Sequence, residues 1–539
     1  MDDRGMAMLE VPDLGYRPTI GEIVRRAAEQ WPDKDFIVTP DERLTFGEAE
    51  RASRGLAKQL LAEGVGKGTR VGIFDTYSLE WVIVWLAACR IGALTMPFSS
   101  IYKPQELRTV VKIGDVDTLF APRTMLGKDV EALLEEALPG LADQASTEIR
   151  LLPAPYLRSV RMWGGSTRAW ARSIDVFLGS DAGSTVSEEL FDAVEAEVTP
   201  ADWAQVTYTS GSSALPKGVV HSHGAIVRST GYMSPEMAQL MAAAAAQPSE
   251  FEPKTLCGFP FFWIGGTLAL GMALQQGNTL CILEKFEAGP ALDLIEKEHI
   301  TSIMAWPSLI QSIKAHPTFA DRDLASIPIL TAPGSSDVAL ANTPVPGVPG
   351  HRSMSELVGN WNGSERKAVG DAETGEALPD MEEGELWVRG FGALQAYYKK
   401  EREETFDENG WLHTGDKVFM FQNRPFFVGR FYEMIKSQGA NVSPREVELY
   451  LEQYPEIEHA LVFGLPHPTL EEEVTAVILF RPGQHLTPEE IQQRARRDIS
   501  GFKIPTRIEI LVDGDDIPWL GSGKPDKLQL RSRLLAAEV

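Results

Sequence analysis

Apolar residues follow two different spacings along the first four hundred residues. Helical spacing is found in "TIGEIVRRAAEQ" (19–30), whereas "DFIVTP" (35–40) and "TRVGIFD" (69–75) are short apolar runs typical of buried strands. Further runs of this strand type are "AQVTYTS" (204–210), "TLCGFP" (255–260), "TLCILE" (279–284), "SIMAWP" (302–307) and "IPILTAP" (327–333). Because helical stretches such as "GPALDLIEKEH" (289–299) separate these runs, we predict mostly parallel sheets covered by helices on both faces.

The pattern changes near residue 429. Before this point, "EGELWVRG" (383–390) and "PFFVGR" (425–430) predict a smaller β part with antiparallel strands. After it, strands are predicted in "HALVFGL" (459–465), "VTAVILF" (474–480) and "RIEILVD" (507–513). We therefore predict an α/β fold with two domains. The large N-terminal domain (1–429) has mostly parallel sheets flanked by helices, and the small C-terminal domain (430–539) is α+β.

Two helices of the C-terminal domain are predicted to begin with the same N-terminal device. Ser443 and Thr487 are placed as N-caps, and a proline follows each of them in the first turn. Glu446 and Glu490 lie three residues after the caps, where a glutamate closes a capping box. Gly501 is predicted to end the second helix.

The chain of 539 residues is acidic, with 51 Lys and Arg against 76 Asp and Glu and a formal net charge of −25. A negative surface repels the phosphates of nucleic acids and the anionic headgroups of membranes. We therefore do not expect a nucleic acid partner. Any anionic ligand must be held by a local cluster of donors that acts against the charge of the whole protein.

Export and membrane insertion are not predicted. The longest apolar run, "WVIVWLAACRIGAL" (81–94), contains Arg90 and is shorter than the roughly 20 residues of a membrane span, so it predicts a buried helix. The N-terminus is acidic and lacks the apolar segment of a signal peptide. The three cysteines, Cys89, Cys257 and Cys281, are too far apart for a metal motif and form no disulfide framework. We expect a cytoplasmic protein.

The segment "YTSGSSALPKGVVHSH" (208–223) concentrates hydroxyl side chains, glycine and one lysine between two apolar runs. Glycine lets backbone N–H groups approach a ligand closely, and a lysine suits a polyphosphate. Pro216 before the lysine excludes a Walker A loop. By itself the segment fits either a phosphate cradle or a solvated surface turn. Its candidate ligand-binding residues are Thr209, Ser210, Gly211, Ser212, Ser213 and Lys217.

The whole segment resembles the phosphate-binding loop of the adenylate-forming superfamily, which includes acyl-CoA synthetases, peptide-synthetase adenylation domains and luciferases. Ala214 stands where that loop usually has a third glycine. Farther along, "GWLHTGD" (410–416) resembles the superfamily's ribose motif, and the resemblance implies that Asp416 binds the ribose hydroxyls. A carboxylate suits this role because it accepts two hydrogen bonds at once. The chain is most similar to the AMP-forming acyl-CoA synthetases and ligases.

The junction between the two predicted domains also resembles the superfamily. "VGRFYEMIKSQGANVSPREVE" (428–448) carries the junction motif, with Tyr432 where Asp or Lys is common. The resemblance implies that Arg430 contacts ribose and phosphate. It also implies that Lys436 and Gly439 line the thiol-donor side of the site.

The last motif, "PWLGSGKPDKLQLR" (518–531), resembles the segment that carries the superfamily's C-terminal lysine. This implies that Lys524 reaches the carboxylate and the α-phosphate. Because that lysine belongs to a small separate domain, the resemblance further implies that the domain is mobile. It would present Lys524 for adenylation and the Lys436–Gly439 face for thioester formation.

The region expected to bind adenine and Mg²⁺ departs from the superfamily pattern. Its best match, "RSMSE" (352–356), has Arg352 in place of the usual aromatic residue, although a guanidinium also stacks on a purine. The resemblance assigns Ser355 to a phosphate and Glu356 to Mg²⁺. Upstream, "TAPGSS" stands in for the adenine wall, and the stretch 356–373 is shorter than usual. The candidates in this wall are Gly334, Ser335 and Ser336.

The resemblance builds the acyl pocket from "GFPFFWIGG" (258–266) and "SIMAWPSLI" (302–310). These segments supply an apolar, aromatic lining without a cation that would bind a second carboxylate. A hydrophobic acid fits best, whether fatty, aromatic or polycyclic. The alternative is that several of these aromatic residues are ordinary core. The candidate pocket residues are Phe262, Trp263, Gly265 and Trp306.

The implied activity is ligation of a carboxylic acid to coenzyme A, in fatty acid or other lipid metabolism, with ATP and Mg²⁺. Carboxylate attack on the α-phosphorus of ATP gives an acyl-adenylate, and a thiol then displaces AMP. Two alternatives stay open: an acyl-AMP ligase that loads a separate carrier protein, and a catalytically weakened protein with a binding or regulatory role. The oligomeric state also stays open, with a homodimer as one option.

Overall fold

The computed structural model describes residues 11, 13–175, 185–209, 216–231, 251–305, 307–331, 364–372, 374–421, 424–430, 434–511, 518 and 527–536. The chain divides into two compact units. The first consists of Met1–Ser100, Val111–Thr207 and Gly218–Gly429, and the second of Ile101–Val110, Tyr208–Lys217 and Arg430–Val539. Because two short earlier segments group with the second unit, the linear domain division at residues 429 and 430 stays a prediction.

Helices and strands are mixed along the described chain. The helices are α1 (Ile20–Gln30), α2 (Phe46–Ala62), α3 (Leu79–Arg90), α4 (Pro104–Ile113), α5 (Val130–Ala137), α6 (Glu188–Ala196), α7 (His223–Gly231), α8 (Ile264–Gln276), α9 (Ala288–Glu298), α10 (Pro307–Lys314), α11 (Pro444–Leu451), α12 (Pro488–Asp498) and α13 (Lys527–Ala536). The strands are β1 (Asp35–Val38), β2 (Arg43–Thr45), β3 (Arg70–Phe74), β4 (Leu94–Phe98), β5 (Thr118–Pro122), β6 (Thr124–Met125), β7 (Lys128–Asp129), β8 (Ser159–Trp163), β9 (Ala171–Ser173), β10 (Trp203–Thr209), β11 (Lys217–Ser222), β12 (Lys254–Cys257), β13 (Thr279–Cys281), β14 (Ser302–Met304), β15 (Ser364–Val369), β16 (Glu383–Gly390), β17 (Ala396–Tyr397), β18 (Leu412–Phe421), β19 (Arg424–Arg430), β20 (Ile435–Ser437), β21 (Ala440–Val442), β22 (Ile457–His467), β23 (Glu471–Phe480) and β24 (Arg507–Leu511).

Two largely parallel sheets belong to the first unit. The eight-stranded sheet has the order β17-β11-β10-β4-β3-β5-β8-β9, and every neighbouring pair from β10 to β9 is parallel. The five-stranded sheet has the order β14-β12-β13-β1-β2, in which only the β1–β2 pair is antiparallel. The prediction of an α/β fold with mostly parallel sheets is confirmed.

Helix α3 confirms the prediction of a buried helix in the longest apolar run. All of its residues except Glu80 are buried. The guanidinium of Arg90 is also buried, and it pairs with Glu195 at 2.5 Å and with Glu50 at 2.9 Å. These partners satisfy a charge that would be costly to bury alone. In the part of the chain that the structure describes, no helix has both the length and the apolar character needed to cross a membrane.

A four-stranded sheet forms the smaller β part that was predicted before residue 430. Its order is β15-β16-β18-β19, and β16 pairs antiparallel with both β15 and β18. Ala368, Leu386, Val388 and Val418 are buried together between its strands and the neighbouring loops. This sheet carries Asp416 in β18.

The second unit contains a separate sheet with its own core. Strands β21, β20, β23 and β22 are antiparallel in that order, and β24 pairs parallel with residues 475–479 of β23. The capping box predicted at Thr487 and Glu490 is confirmed. Ser443 accepts from the Glu446 N–H as predicted. However, α12 ends at Asp498, before Gly501, which instead begins a short 3-10 turn.

The strand predicted at residues 327–333 is wrong for the part that the structure describes. Pro328–Leu330 forms one 3-10 turn, in which the Thr331 N–H donates to the Pro328 carbonyl at 3.1 Å. Proline has no N–H for a sheet ladder, and its fixed φ suits the start of such a turn. A short apolar run does not by itself separate a buried strand from a buried turn.

A buried lysine connects three segments of the second unit. Lys503 is 4% exposed, and its Nζ lies 2.8 Å from carboxylate oxygens of both Glu106 and Glu446. Ser500 donates to Glu106 at 2.6 Å and to the Ile101 carbonyl at 3.2 Å. Burial works against the lysine's charge, but the two carboxylates raise the pKa of Lys503 above its ordinary value. For the glutamate, burial acts in the opposite direction and raises the pKa of Glu446 above its ordinary value. Glu446 was expected to close a capping box with Ser443, but its side chain pairs with Lys503 instead.

We predict that Lys503→Ala destabilises the second unit, because the partly buried carboxylates of Glu106 and Glu446 then lose their buried counter-charge. The expected loss is about 3–5 kcal/mol, the range for breaking a buried pair. Faster amide hydrogen exchange in β20–β24 would report it. The matched control is Lys400→Ala, which removes a pair with Glu404 whose side chains are 52% and 46% exposed, and it should cost less than about 1 kcal/mol. Equal effects of the two variants would contradict the prediction.

Candidate active site

Strand β10, which leads into the predicted phosphate loop, is fixed by a buried polar network. Gln205 is fully buried and accepts from Trp85 Nε1 at 3.0 Å. Its amide nitrogen donates to Thr207 at 3.0 Å and to Thr267 at 2.9 Å. These bonds connect β10 with α3 and α8, so the strand that precedes the loop has little freedom to shift. β10 ends at Thr209, which is exposed, and β11 begins at Lys217.

The two segments assigned to the acyl pocket follow neighbouring strands of the five-stranded sheet, β12 and β14. β12 ends at Cys257 and β14 at Met304, and the two strands are parallel neighbours in register. The Gly258 N–H donates to the Met304 carbonyl at 2.8 Å just beyond the strand ends. Parallel neighbours deliver the following residues to the same edge of a sheet. The segments that begin at residues 258 and 305 are therefore adjacent.

The aromatic residues of the first pocket segment have different surroundings. Phe261 is fully buried and contacts Tyr77 and Trp81, with ring centroids 5.3 Å and 5.2 Å apart. It belongs to the core, as the alternative interpretation held for some of these residues. Phe262 is also buried, whereas Trp263 is only partly buried and contacts the Phe262 ring edge-on at 5.5 Å. Of the three consecutive aromatic residues, Trp263 exposes the most surface for a ligand.

Asp416 lies in β18 and is 8% exposed. Its N–H donates to Thr414 Oγ1 at 3.1 Å, and the Gly415 N–H donates to Glu385 Oε1 at 2.8 Å. The other carboxylate oxygen of Glu385, Oε2, accepts from the indole N–H of Trp387 at 3.1 Å. Sequence reasoning missed both of these neighbours of Asp416. Their positions two apart in β16 place them on one face of the strand, and that spacing was the available signal.

Lys436 and Gly439 lie on one hairpin of the second unit. Lys436 is the exposed middle residue of β20, between the buried Ile435 and Ser437, and its N–H donates to Glu472 at 2.8 Å. Gln438 and Gly439 both have positive φ, at 54° and 76°. This backbone is the two-residue turn that joins β20 to β21, and glycine adopts it without strain.

Asp75 follows β3 directly and is a buried carboxyl group that the sequence did not single out. It is 3% exposed and accepts from the Ser78 hydroxyl. Burial raises the pKa of Asp75 to about 7, against the opposing effect of the Ser78 and Thr76 hydrogen bonds. A large share of this side chain is therefore protonated at neutral pH.

Several candidate residues lie outside the described residues, and their roles stay predictions. Arg430 ends β19, but its side chain is not among those described. No group of three His, Cys, Asp or Glu side chains suitable for a metal occurs among the residues that the structure describes. The undescribed candidates are Ser210, Gly211, Ser212, Ser213, Trp306, Gly334, Ser335, Ser336, Ser355, Glu356 and Lys524. Of the remaining pocket candidates, Gly265 lies beside the Phe259 ring.

Two family models match the chain. The one described as AMP-binding enzyme matches residues 24–343, more than half of the chain, and the one described as AMP-binding enzyme C-terminal domain matches residues 446–524. The chain belongs to the AMP-binding enzyme family. The resemblance to adenylate-forming acyl-CoA ligases is confirmed at this level.

Relatives of this AMP-binding enzyme match almost the whole chain. A Mycobacterium tuberculosis protein, named as a methyl-dioxo-octahydro-indenyl propanoyl:CoA ligase, is 29% identical over 95% of this chain and 98% of its own length. The mitochondrial medium-chain acyl-CoA ligase of Mus musculus is 25% identical over 96% of this chain and 87% of its own length. The solved structure of the amide bond synthetase McbA from Marinactinospora thermotolerans has a TM-score of 0.73 at 22% identity, covering 95% of this chain and 99% of that one. This last likeness confirms the fold.

We predict that Trp263 and Phe261 respond differently to truncation. Phe261→Ala should lower the free energy of unfolding by about 3–5 kcal/mol, because it leaves a cavity in the core. Trp263→Ala should instead enlarge the predicted acid pocket and change the ratio of kcat/KM between a long and a short straight-chain acid by about tenfold or more.

Unfolding in urea and kinetics with a series of acids would measure the two effects. Trp203→Ala is the matched control, because this tryptophan is 44% exposed at the start of β10 and should affect neither quantity strongly. A Trp263→Ala enzyme that loses stability and keeps its acid preference would count against a pocket role for Trp263.

Proposed function

We propose that this AMP-binding enzyme activates a hydrophobic carboxylic acid with ATP and transfers the acyl group to coenzyme A. The observation that carries the proposal is the full-length likeness to acid–CoA ligases, which extends over 95% of this chain and 98% of the Mycobacterium tuberculosis relative. The intact charged positions of the motifs, Lys217, Asp416, Arg430 and Lys524, support catalysis rather than a weakened binding role.

In the proposed first step, a carboxylate oxygen of the acid attacks the α-phosphorus of ATP. The bond from that phosphorus to the bridging oxygen breaks, and pyrophosphate leaves. The protein's task in such a transfer is to position the reactants and to offset charge. Asp416 would hold the ribose hydroxyls, Lys217 and the 209–213 hydroxyls would hold the β- and γ-phosphates, and Lys524 would offset charge at the α-phosphate.

In the proposed second step, the thiol sulfur of coenzyme A attacks the acyl carbon. The carbon–sulfur bond forms, the bond from the acyl carbon to the phosphate oxygen breaks, AMP leaves, and the thiol proton passes to solvent. No protein nucleophile takes part. The buried Cys89 and Cys257 agree with this, since burial raises the pKa of both thiols above the ordinary value.

The family implies Mg²⁺, which offsets phosphate charge when it is bound. The candidate ligand Glu356 lies outside the described residues, and the described residues bring together no three-ligand group.

A hydrophobic acid is supported by the composition of the two pocket segments. Residues 258–266 and 302–306 contain aromatic and aliphatic side chains and no charged residue. The fatty, aromatic and polycyclic classes all fit this lining, and we place the enzyme in lipid metabolism of the cytoplasm. The mouse relative is named as mitochondrial, so a fractionation experiment is the direct test of the compartment.

The proposed activity predicts acid-dependent exchange of labelled pyrophosphate into ATP. A screen over hydrophobic acids should find at least one that supports exchange, and mass spectrometry should then find its acyl group on coenzyme A. Acyl transfer to a carrier protein in place of coenzyme A would support the carrier-loading alternative. A screen without any exchange would support the binding or regulatory alternative and contradict catalysis.

We further predict that Lys524→Ala separates the two half-reactions. Loss of a charge that acts on the transition state should reduce exchange by about 100-fold or more. Thioester formation from supplied acyl-adenylate and coenzyme A should stay within about threefold of the wild-type rate, because the proposed role of Lys524 ends with adenylation. The converse variant, Lys436→Ala, should reduce thioester formation more than exchange. Equal loss of both steps in each variant would contradict the division of roles.

A further inference from the structure

Strand β18 departs from regular pairing at the residue that is proposed to bind ribose. Glu385 of β16 lies opposite Lys417, and Trp387 lies opposite His413, with a register shift between them. Three residues of β18, 414 to 416, therefore face the single residue 386 of β16. Bulges of this kind bend a strand and redirect the side chains that they contain.

Hydrogen bonds from β16 hold this bulge in place. The Thr414 hydroxyl donates to the Leu386 carbonyl at 2.8 Å, and the Gly415 N–H donates to Glu385 Oε1 at 2.8 Å. Gly415 has φ of 73°, a left-handed conformation that few residues other than glycine adopt routinely. Because glycine is also the residue with the widest choice of other conformations, its N–H needs a fixed partner to hold this one.

The Glu385 carboxylate is itself held on both oxygens. Oε1 accepts from Gly415, and Oε2 accepts from Trp387 Nε1 at 3.1 Å. Trp387 is 3% exposed, and its ring stacks on His413 with centroids 3.8 Å apart and an angle of 15° between the planes. The indole of Trp387 is thus held by packing. It orients the Glu385 carboxylate, which in turn holds the Gly415 N–H of the bulge.

We propose that Glu385 is a positioning residue for recognition of the ATP ribose. It orders Gly415, and Gly415 sets the direction in which the next residue, Asp416, presents its carboxylate. The inference rests on the proposed function, in which Asp416 accepts hydrogen bonds from the ribose hydroxyls. Glu385 acts on the nucleotide only through Asp416.

The test compares two nucleotides that differ only in the ribose hydroxyls. Binding of ATP and of 2′,3′-dideoxyATP to the full chain is measured by calorimetry, with Mg²⁺ present and without an acid, so that no turnover occurs. Glu385→Ala should weaken ATP binding by about tenfold, since hydrogen bonds to a charged group are lost or misaligned. Binding of dideoxyATP should change less than about twofold. A purely structural role would weaken both nucleotides equally and would overturn the inference.

A second pair of variants keeps the test valid if Glu385→Ala folds poorly. Glu385→Gln leaves one acceptor oxygen for two donors, so ATP binding should weaken. Adding Trp387→Phe removes one of the donors and frees that oxygen for Gly415. ATP affinity of the double variant should therefore return to within about twofold of Trp387→Phe alone. An additive loss in the double variant would contradict the coupling.

Two controls separate this inference from the proposed function. Asp416→Ala should abolish the preference for ATP over dideoxyATP, and if that preference persists, the ribose role of Asp416 fails. If Asp416→Ala abolishes the preference and Glu385→Ala retains it, only the inference about Glu385 fails. The matched control, Glu365→Gln, changes a glutamate of the same sheet that pairs with Arg389 outside the bulge, and it should leave both affinities unchanged.

Discussion

Parallel strands that are neighbours in a sheet deliver their following segments to the same edge, and the proposed active site depends on this constraint. In the five-stranded sheet, β12 and β14 end together, and the hydrogen bond from Gly258 to Met304 continues their pairing into the two segments assigned to the acid. In the eight-stranded sheet, the buried Gln205 fixes β10 against α3 and α8, and the predicted phosphate loop follows that strand. The motifs supply the side chains proposed to bind acid and phosphate, and the positions of the strand ends determine where each motif begins.

The antiparallel sheet positions its candidate residue by a different physical means. A regular strand would alternate the directions of Thr414, Gly415 and Asp416, whereas the bulge makes the direction of Asp416 depend on the hydrogen bond between Glu385 and the Gly415 N–H. The parallel strands thus lead to the segments assigned to the acid and the phosphates, whereas the hydrogen-bonded bulge in β18 sets the direction of Asp416. The acidic charge of the chain opposes binding of a triphosphate, so the donors of the 209–217 segment have to hold the phosphates against it.

The sequence predicted the elements whose pattern is local. The continuous apolar run of α3, the capping box at Thr487 and the short apolar runs of β22 and β23 all follow from neighbouring residues. It did not predict features set by distant partners. Glu446 binds Lys503 instead of closing a capping box, and Lys503 also reaches Glu106, 397 positions away. Likewise, the motif resemblance identified Asp416, but it did not identify Glu385. The contact between Glu385 and Gly415 depends on the register of β16 and β18, which the sequence alone does not determine. Residues 328–330, expected in a strand, form a 3-10 turn that begins at Pro328.

The proposed function requires one ATP molecule to bind with its ribose at Asp416 and its phosphates at the loop after β10. A crystal structure of the full chain with bound ATP tests it most directly. We expect the ribose hydroxyl oxygens about 2.6–3.0 Å from the Asp416 carboxylate, and the β- and γ-phosphates against the 209–217 segment. A nucleotide bound elsewhere, with Asp416 in contact with protein groups alone, would contradict it.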